Sequence, residues 1–187
     1  TQRPSSEKLH CSCGLIRQDC PFWVQVKSDW FHGETTDWNS YHQIQAPIER
    51  FLAANQASAL FPPSQGSFEE ISRLTLKLFL TLADVSGKSI IIDVSKRVGC
   101  ASALARVEGL EVVYIHLVRD GRGFLASSLK RFKKHKDEQS RTKPQFLFLA
   151  KTILEWIVIN REAARIASKG NHPFLTIRYE DLITNPA

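Results

Sequence analysis

Residues 119–127, with the sequence Arg-Asp-Gly-Arg-Gly-Phe-Leu-Ala-Ser, are the segment whose residue types and spacing best suit anion binding. An apolar, strand-like run leads into them, and they continue as the first turns of a predicted helix. The N–H groups and dipole of a helix N-terminus attract phosphate, and an arginine can hold it through two hydrogen bonds. Arg119, Arg122 and Ser127 are therefore candidate anion-binding residues. The alternative is a structural turn in which the arginine pairs with a neighbouring acid.

Two other strand-like runs also end in polar residues. Asp93, Ser95 and Lys96 follow the first run, where Asp93 is either a general base or a structural hydrogen-bond acceptor. Tyr179 opens the sequence Tyr-Glu-Asp-Leu after the second run. The alternatives are an exposed polar turn for the first group and a capped strand end for the second.

A cluster of sulfur and imidazole side chains lies near the start of the chain, at His10, Cys11, Cys13 and Cys20. Four such ligands suffice for a tetrahedral zinc site, although the Cys-x-Cys spacing is tighter than usual. A disulfide that leaves Cys100 as a further thiol is one alternative, and buried free thiols are another.

In this combination the motifs resemble the sulfotransferases that use 3′-phosphoadenosine-5′-phosphosulfate (PAPS). That family has an arginine at a strand end and a serine eight residues later, as Arg119 and Ser127 are spaced. The resemblance implies that this pair binds the 3′-phosphate of PAPS and that Tyr179 lies near the adenine. The trailing Asn-Pro after Tyr-Glu-Asp-Leu also matches.

The other two motifs fit the same resemblance. The sequence Asp-Val-Ser-Lys at residues 93–96 is similar to the family's Asp-Ser-Ser-Lys segment, with Val94 in place of the first serine. The resemblance implies that Ser95 and Lys96 face the active cleft, where Lys96 stabilises sulfonate charge or orients the acceptor. The sequences Cys-Ser-Cys-Gly and Cys-Pro-Phe-Trp look like the signature of a bacterial branch of the family.

The resemblance implies a transferase that moves a sulfuryl group from PAPS to an acceptor hydroxyl of a carbohydrate or small molecule, with carbohydrate favoured, or to an amine, without a required metal. The family's glycine- and serine-rich loop for the 5′-phosphosulfate is not found. Since the chain also begins at Thr1 and contains no methionine, we expect one domain, 1–187, that is incomplete at the N-terminus and at the C-terminus. Such a fragment can be inactive in isolation, and its compartment would be the cytoplasm in bacteria or the Golgi lumen in eukaryotes.

Periodicity and capping signals outline the elements that must position these residues. They predict helices at 41–59, 67–85 with Ser67 as N-cap, 101–107, 123–137 and 143–168, and strands at 89–94, 111–118 and 174–179. Alternating strands and helices predict an α/β fold, a three-layer parallel sheet with helices on both faces and ligands at the carboxyl ends of its strands. The resemblance implies a P-loop NTPase-like sulfotransferase fold, here truncated.

Charge leaves a second function open. The net charge is +6, and residues 119–143 hold nine Lys or Arg against three acids. This basic block also suits a non-catalytic module that binds a polyanion or nucleic acid. The favoured hypothesis has no nucleic-acid partner, and a nucleotide kinase is disfavoured because no Gly-x-x-x-x-Gly-Lys-Ser/Thr loop occurs.

Two further expectations concern histidines and membranes. On chemical grounds His32, His42 and His116 are candidate bases, but His116 lies within a predicted strand and is favoured as a packed core residue. No apolar run approaches the roughly 18 residues of a membrane span.

Overall fold

A computed structural model of the chain describes residues 10–53, 63–94, 98–139, 145–168 and 172–185. The chain divides into two compact units, Thr1–Leu110 and Glu111–Ala187. The described elements of the first unit are four helices, α1 (Pro21–Phe31), α2 (Trp38–Ala53), α3 (Gln65–Ser86) and α4 (Val98–Leu104). Those of the second unit are β1 (Tyr114–Val118), α5 (Gly121–Gln139), α6 (Gln145–Ser168), β2 (Phe174–Arg178) and α7 (Tyr179–Thr184).

Aromatic and aliphatic side chains from α1, α2 and α3 form the core of the first unit. Its buried members are Trp30, Tyr41, Ile48, Leu52, Ile71 and Leu74. The Trp30 indole N–H donates a hydrogen bond of 2.7 Å to the Leu74 carbonyl, and the Tyr41 and Thr75 hydroxyls lie 3.1 Å apart. The polar tips of these buried rings are thus satisfied, as a stable core requires.

All five predicted helices are present, although residues 54–59 of the first prediction and 143–144 of the last lie outside the described residues. The largest change in capping is in α3, where Ser64 and not Ser67 is the N-cap: the Ser64 side chain accepts a hydrogen bond from the Ser67 N–H. The predicted end near Gly87 is confirmed, and Gly87 has a φ of +64°, a conformation that glycine adopts at little cost.

The predicted three-layer parallel sheet with helices on both faces was wrong. The described residues contain one sheet of two strands, in which β1 pairs with β2 in parallel. Ladder pairing covers only residues 114–118 of the predicted strand 111–118, because β2 offers five partners. Burial alternates along β1, with Ile115 and Leu117 exposed, so this strand is not buried on both faces.

Residues 89–94, predicted as a strand, form no strand either. Ile90 and Ile92 are about four-fifths exposed, at 79% and 82%. β-branched residues favour an extended backbone, but a strand also needs a neighbour to complete its hydrogen bonds. The local pattern therefore indicated an extended backbone at 89–94, but it contained no information on a partner strand.

Helix length and hydropathy also bear on membrane insertion. Among the residues that the structure describes, no helix combines the length and the apolar character needed to cross a bilayer.

Candidate functional site

The parallel register of β1 and β2 determines which side chains meet at their carboxyl ends. Val118 is the partner of Arg178 in the ladder. The residues that follow the two strands, Arg119 and Tyr179, therefore lie next to each other at the same edge of the sheet. The Arg119 guanidinium carbon lies 5.1 Å from the centre of the Tyr179 ring. This is a cation–π contact, which holds the flat guanidinium over the ring.

Ser127 is the second partner of Arg119. The Arg119 Nη1 donates a hydrogen bond of 2.9 Å to the Ser127 Oγ. Arg119 precedes α5 and Ser127 lies in the second turn of this helix. The hydrogen bond therefore links the end of β1 to α5. Among the described residues Arg119 forms no ion pair, so the alternative of an arginine paired with a neighbouring acid is not what the structure shows for this residue.

Gly123 in the first turn of α5 leaves room for the Arg119 side chain, whereas a side chain at Gly121 would make only an ordinary contact with Trp156. A Cβ atom on Gly123 would lie 3.2 Å from the Arg119 Nε, and one on Gly121 would lie 3.6 Å from the ring of Trp156. The Trp156 indole N–H donates a hydrogen bond of 3.1 Å to the Arg119 carbonyl. Helix α6 thus supports the backbone of the residue that carries the guanidinium.

Arg122, the third candidate anion-binding residue of this segment, is engaged by Asp120. The Asp120 carboxylate accepts hydrogen bonds from the Arg122 backbone N–H at 2.7 Å and from its Nη2 at 2.8 Å. These bonds lower the pKa of Asp120 to about 2, the guanidinium contributing most and the backbone N–H next. The Arg122 side chain is 93% exposed. Asp120 therefore caps the helix and neutralises Arg122, which leaves Arg119 as the unpaired cation of the motif in the described structure.

Glu180 ties the two strand ends together. Its Oε1 accepts a hydrogen bond of 3.0 Å from the Asp120 backbone N–H, and this bond is the main reason why its pKa is lowered. Sequence reasoning noted Glu180 within a motif but assigned it no role, and it missed Trp156. Both act through contacts between segments distant in sequence, 60 and 37 residues apart respectively, for which a single sequence contains no direct signal.

The predicted catalytic residues are not part of this cluster as described. Asp93 is exposed and belongs to the first compact unit, whereas Ser95 and Lys96 lie outside the described residues. Their roles stay predictions. His116 is half-buried in β1, with its ring centre 6.2 Å from that of Phe174. It is thus not a fully buried core residue, and its structural role stays a prediction.

Three of the four proposed zinc ligands come together. The sulfur atoms of Cys11, Cys13 and Cys20 all lie within 4.8 Å of one another, and no disulfide joins them. His10 is not part of this group; its Nδ1 lies 3.4 Å from the Gly14 carbonyl oxygen. The predicted four-ligand set is thus reduced to three thiols.

The basic block falls on α5 and the residues after it. Phe132, the one Phe, Tyr or Trp between Lys130 and Lys143, stacks on Phe148 of α6, with ring centres 4.4 Å apart. A ring used in helix packing is not available to stack on a nucleobase.

Comparison of the chain with protein-family models, with curated proteins and with solved structures found no match.

Proposed function

We propose that the protein is a PAPS-dependent sulfotransferase, or the nucleotide-binding part of one, and that Arg119, Ser127 and Tyr179 bind the adenosine 3′,5′-bisphosphate portion of the donor. The observation that supports this most is the contact of Arg119 with both other residues, at 2.9 Å from Ser127 and over the ring of Tyr179. The proposal rests on this site and not on the overall fold.

The chemistry of the three side chains suits a phosphate on a nucleoside. An exposed guanidinium can form two parallel hydrogen bonds to one phosphate, and the Ser127 hydroxyl can turn to donate a third. The Tyr179 ring restricts the arginine to one orientation, which reduces the entropy lost on binding. An aromatic ring with a hydroxyl, such as that of Tyr179, can pack against an adenine and hydrogen-bond to it.

In the proposed reaction the acceptor oxygen attacks the sulfur of PAPS in line with the leaving phosphate. A new S–O bond forms to the acceptor, the S–O bond to the 5′-phosphate breaks, and the acceptor proton passes to a base. Catalysis would depend on positioning and on cations near the equatorial oxygens, as in phosphoryl transfer. Lys96 and Ser95 are the proposed contacts to the sulfonate and Asp93 a proposed base; no metal is needed. A carbohydrate hydroxyl is the favoured acceptor.

Binding of a polyanion through the basic block is the second candidate function, favoured by the +6 charge of residues 119–143. The stacking of Phe132 within the α5–α6 contact argues against a nucleic-acid platform. The two functions differ in a measurable way, because polyanion binding weakens steeply with salt and does not depend on a 3′-phosphate.

The test compares two arginine variants by titration calorimetry with adenosine 3′,5′-bisphosphate and with adenosine 5′-phosphate. Arg119→Ala removes charge-assisted hydrogen bonds of about 1.5–3 kcal/mol, so it should weaken the bisphosphate about 10- to 100-fold and the monophosphate little. Arg131→Ala removes an equal charge from an exposed position of the basic block and should change either affinity less than about twofold. Equal losses in the two variants would mean a general electrostatic effect and contradict the proposal.

A further inference from the structure

The first unit contains a second group of chemically reactive side chains, distinct from the nucleotide site. An antiparallel bridge between His10 and Ile16 forms a tight turn, in which Gly14 has a φ of +87° and donates its N–H to the Cys11 carbonyl. Cys11 and Cys13 lie within this turn. The backbone hydrogen bonds of the turn therefore hold these two cysteines close together.

Cys20 joins the group from the start of α1. It is the N-cap of that helix, is 3% exposed and is followed by Pro21 at the first helical position. The Arg17 guanidinium stacks over the Trp23 ring at 4.8 Å, and the Asp19 N–H donates to the Ile16 carbonyl. These contacts fix the segment that brings Cys20 back to the turn.

The sulfur positions resemble those around a shared ion. The Cys20 sulfur lies 3.5 Å from that of Cys13 and 3.5 Å from that of Cys11. A tetrahedral zinc ion with bonds of about 2.3 Å separates its thiolate sulfurs by about 3.8 Å. Since Cys20 is equally close to both other sulfurs, neither pair is singled out as the partners of a disulfide.

Cys20 lies at the N-terminus of α1, where the positive end of the helix dipole stabilises a bound thiolate.

We propose that Cys11, Cys13 and Cys20 bind one thiophilic metal ion, Zn²⁺, through three thiolates. Cys13 is exposed, so water can occupy the fourth position. Binding displaces the thiol protons, and the ion then cross-links the turn to the start of α1. This site would be structural and independent of the nucleotide site.

The experiment measures metal content and cobalt spectra of the full chain. Protein purified under reducing conditions without chelator should carry one zinc per chain by mass spectrometry. Replacement by Co²⁺ should produce an intense thiolate charge-transfer band in the near ultraviolet. Cys13→Ser and Cys11→Ser should each weaken zinc binding more than about tenfold in a competition with a chromogenic chelator. Cys100→Ser is the matched control and should bind zinc like the unmodified chain.

Other outcomes overturn the proposal. Folded Cys13→Ser protein, as judged by circular dichroism, that binds Zn²⁺ as tightly as the unmodified chain would exclude Cys13 as a ligand. Reduced chain that takes up neither Zn²⁺ nor Co²⁺ would show that the thiols are not a metal site. A chain that binds neither Zn²⁺ nor Co²⁺ and has an intact mass two hydrogens below that of the fully reduced chain would show that two of the cysteines form a disulfide.

Discussion

At the level of single residues, the proposed nucleotide site depends on Arg119 and the two side chains that fix its direction. An arginine on a surface usually samples many rotamers and loses that freedom when it binds a ligand. Ser127 holds one end of this guanidinium and Tyr179 covers its face. If the site binds an anion as proposed, less of this freedom is lost on binding.

The ring and the hydroxyl of Tyr179 can be tested separately. Tyr179→Phe keeps the ring beneath the guanidinium and should retain the affinity for adenosine 3′,5′-bisphosphate within about threefold. Tyr179→Ala removes a cation–π contact of about 0.5–1 kcal/mol together with ring contacts to the adenine, and should lower the affinity about tenfold. Titration calorimetry measures both variants. An alanine variant that binds as tightly as the phenylalanine variant would show that the ring does not contribute.

The sequence predicted the cluster of Arg119, Ser127 and Tyr179 but not its supports. Arginine and serine at a strand-to-helix junction carry a local signal, because phosphate chemistry needs those groups there. In the sequence, Trp156 is one of several apolar residues of an amphipathic helix. Its hydrogen bond to the Arg119 carbonyl depends on the packing of α6, which the sequence does not show. The role of Arg122 as an anion ligand stays a prediction, and its ion pair with Asp120 was not foreseen from the sequence.

At the level of elements, the five predicted helices and two of the three predicted strands are present, whereas α1 and α7 were not predicted. Helix α3 is defined by signals within its own sequence, a serine cap and a terminal glycine. A strand depends on a partner elsewhere in the chain, and residues 89–94 have none among the described residues. The apolar run at 89–94 does not by itself show whether a partner strand exists. The predicted three-layer sheet, which needed that strand, was therefore wrong.

The contact between α2 and α4 depends on a glycine. A Cβ atom on Gly99 would overlap the backbone carbonyl oxygen of Glu49 and lie 2.8 Å from its carbon. Since backbone cannot move as a side-chain tip does, Gly99→Ala should lower the free energy of unfolding by about 2–3 kcal/mol. Denaturant unfolding measures this change.

Gly66 is the matched control for Gly99, since it also lies in a helix but has open space around it. Gly66→Ala should leave stability unchanged or raise it by up to about 1 kcal/mol, because alanine loses less backbone entropy in a helix. Similar effects of the two substitutions would show that the close approach at Gly99 is not a constraint.

At the level of the whole molecule, a group of ion pairs stabilises the first compact unit. Glu34 accepts hydrogen bonds from Arg73 Nη1 at 2.8 Å and Nη2 at 2.6 Å, and from Lys77 Nζ at 2.8 Å. This ion pair joins the segment after α1 to α3. Arg73 first and Lys77 second lower the pKa of Glu34 to about 2, from an ordinary value of 4.5.

This shift predicts the pH dependence of stability. The folded-state pKa lies below the unfolded one, so the Glu34 carboxylate stabilises the fold above pH 4.5 and loses that effect as the pH falls through about 2. Glu34→Gln should lower the free energy of unfolding by about 1–2 kcal/mol at neutral pH, and the difference should shrink as the pH approaches 2. Unfolding curves across that range test this, and a difference that does not change with pH would contradict it.

The central claim is that the second unit recognises a 3′-phosphate on adenosine. Its most direct test is calorimetric titration of the unmodified chain, at two salt concentrations, with adenosine 3′,5′-bisphosphate and with adenosine 5′-phosphate. We expect the bisphosphate to bind at least about tenfold more tightly, since Arg119 and Ser127 would form charge-assisted bonds that the monophosphate cannot form. That preference should persist at the higher salt. Equal affinities, or a preference that disappears with salt, would contradict the proposed function.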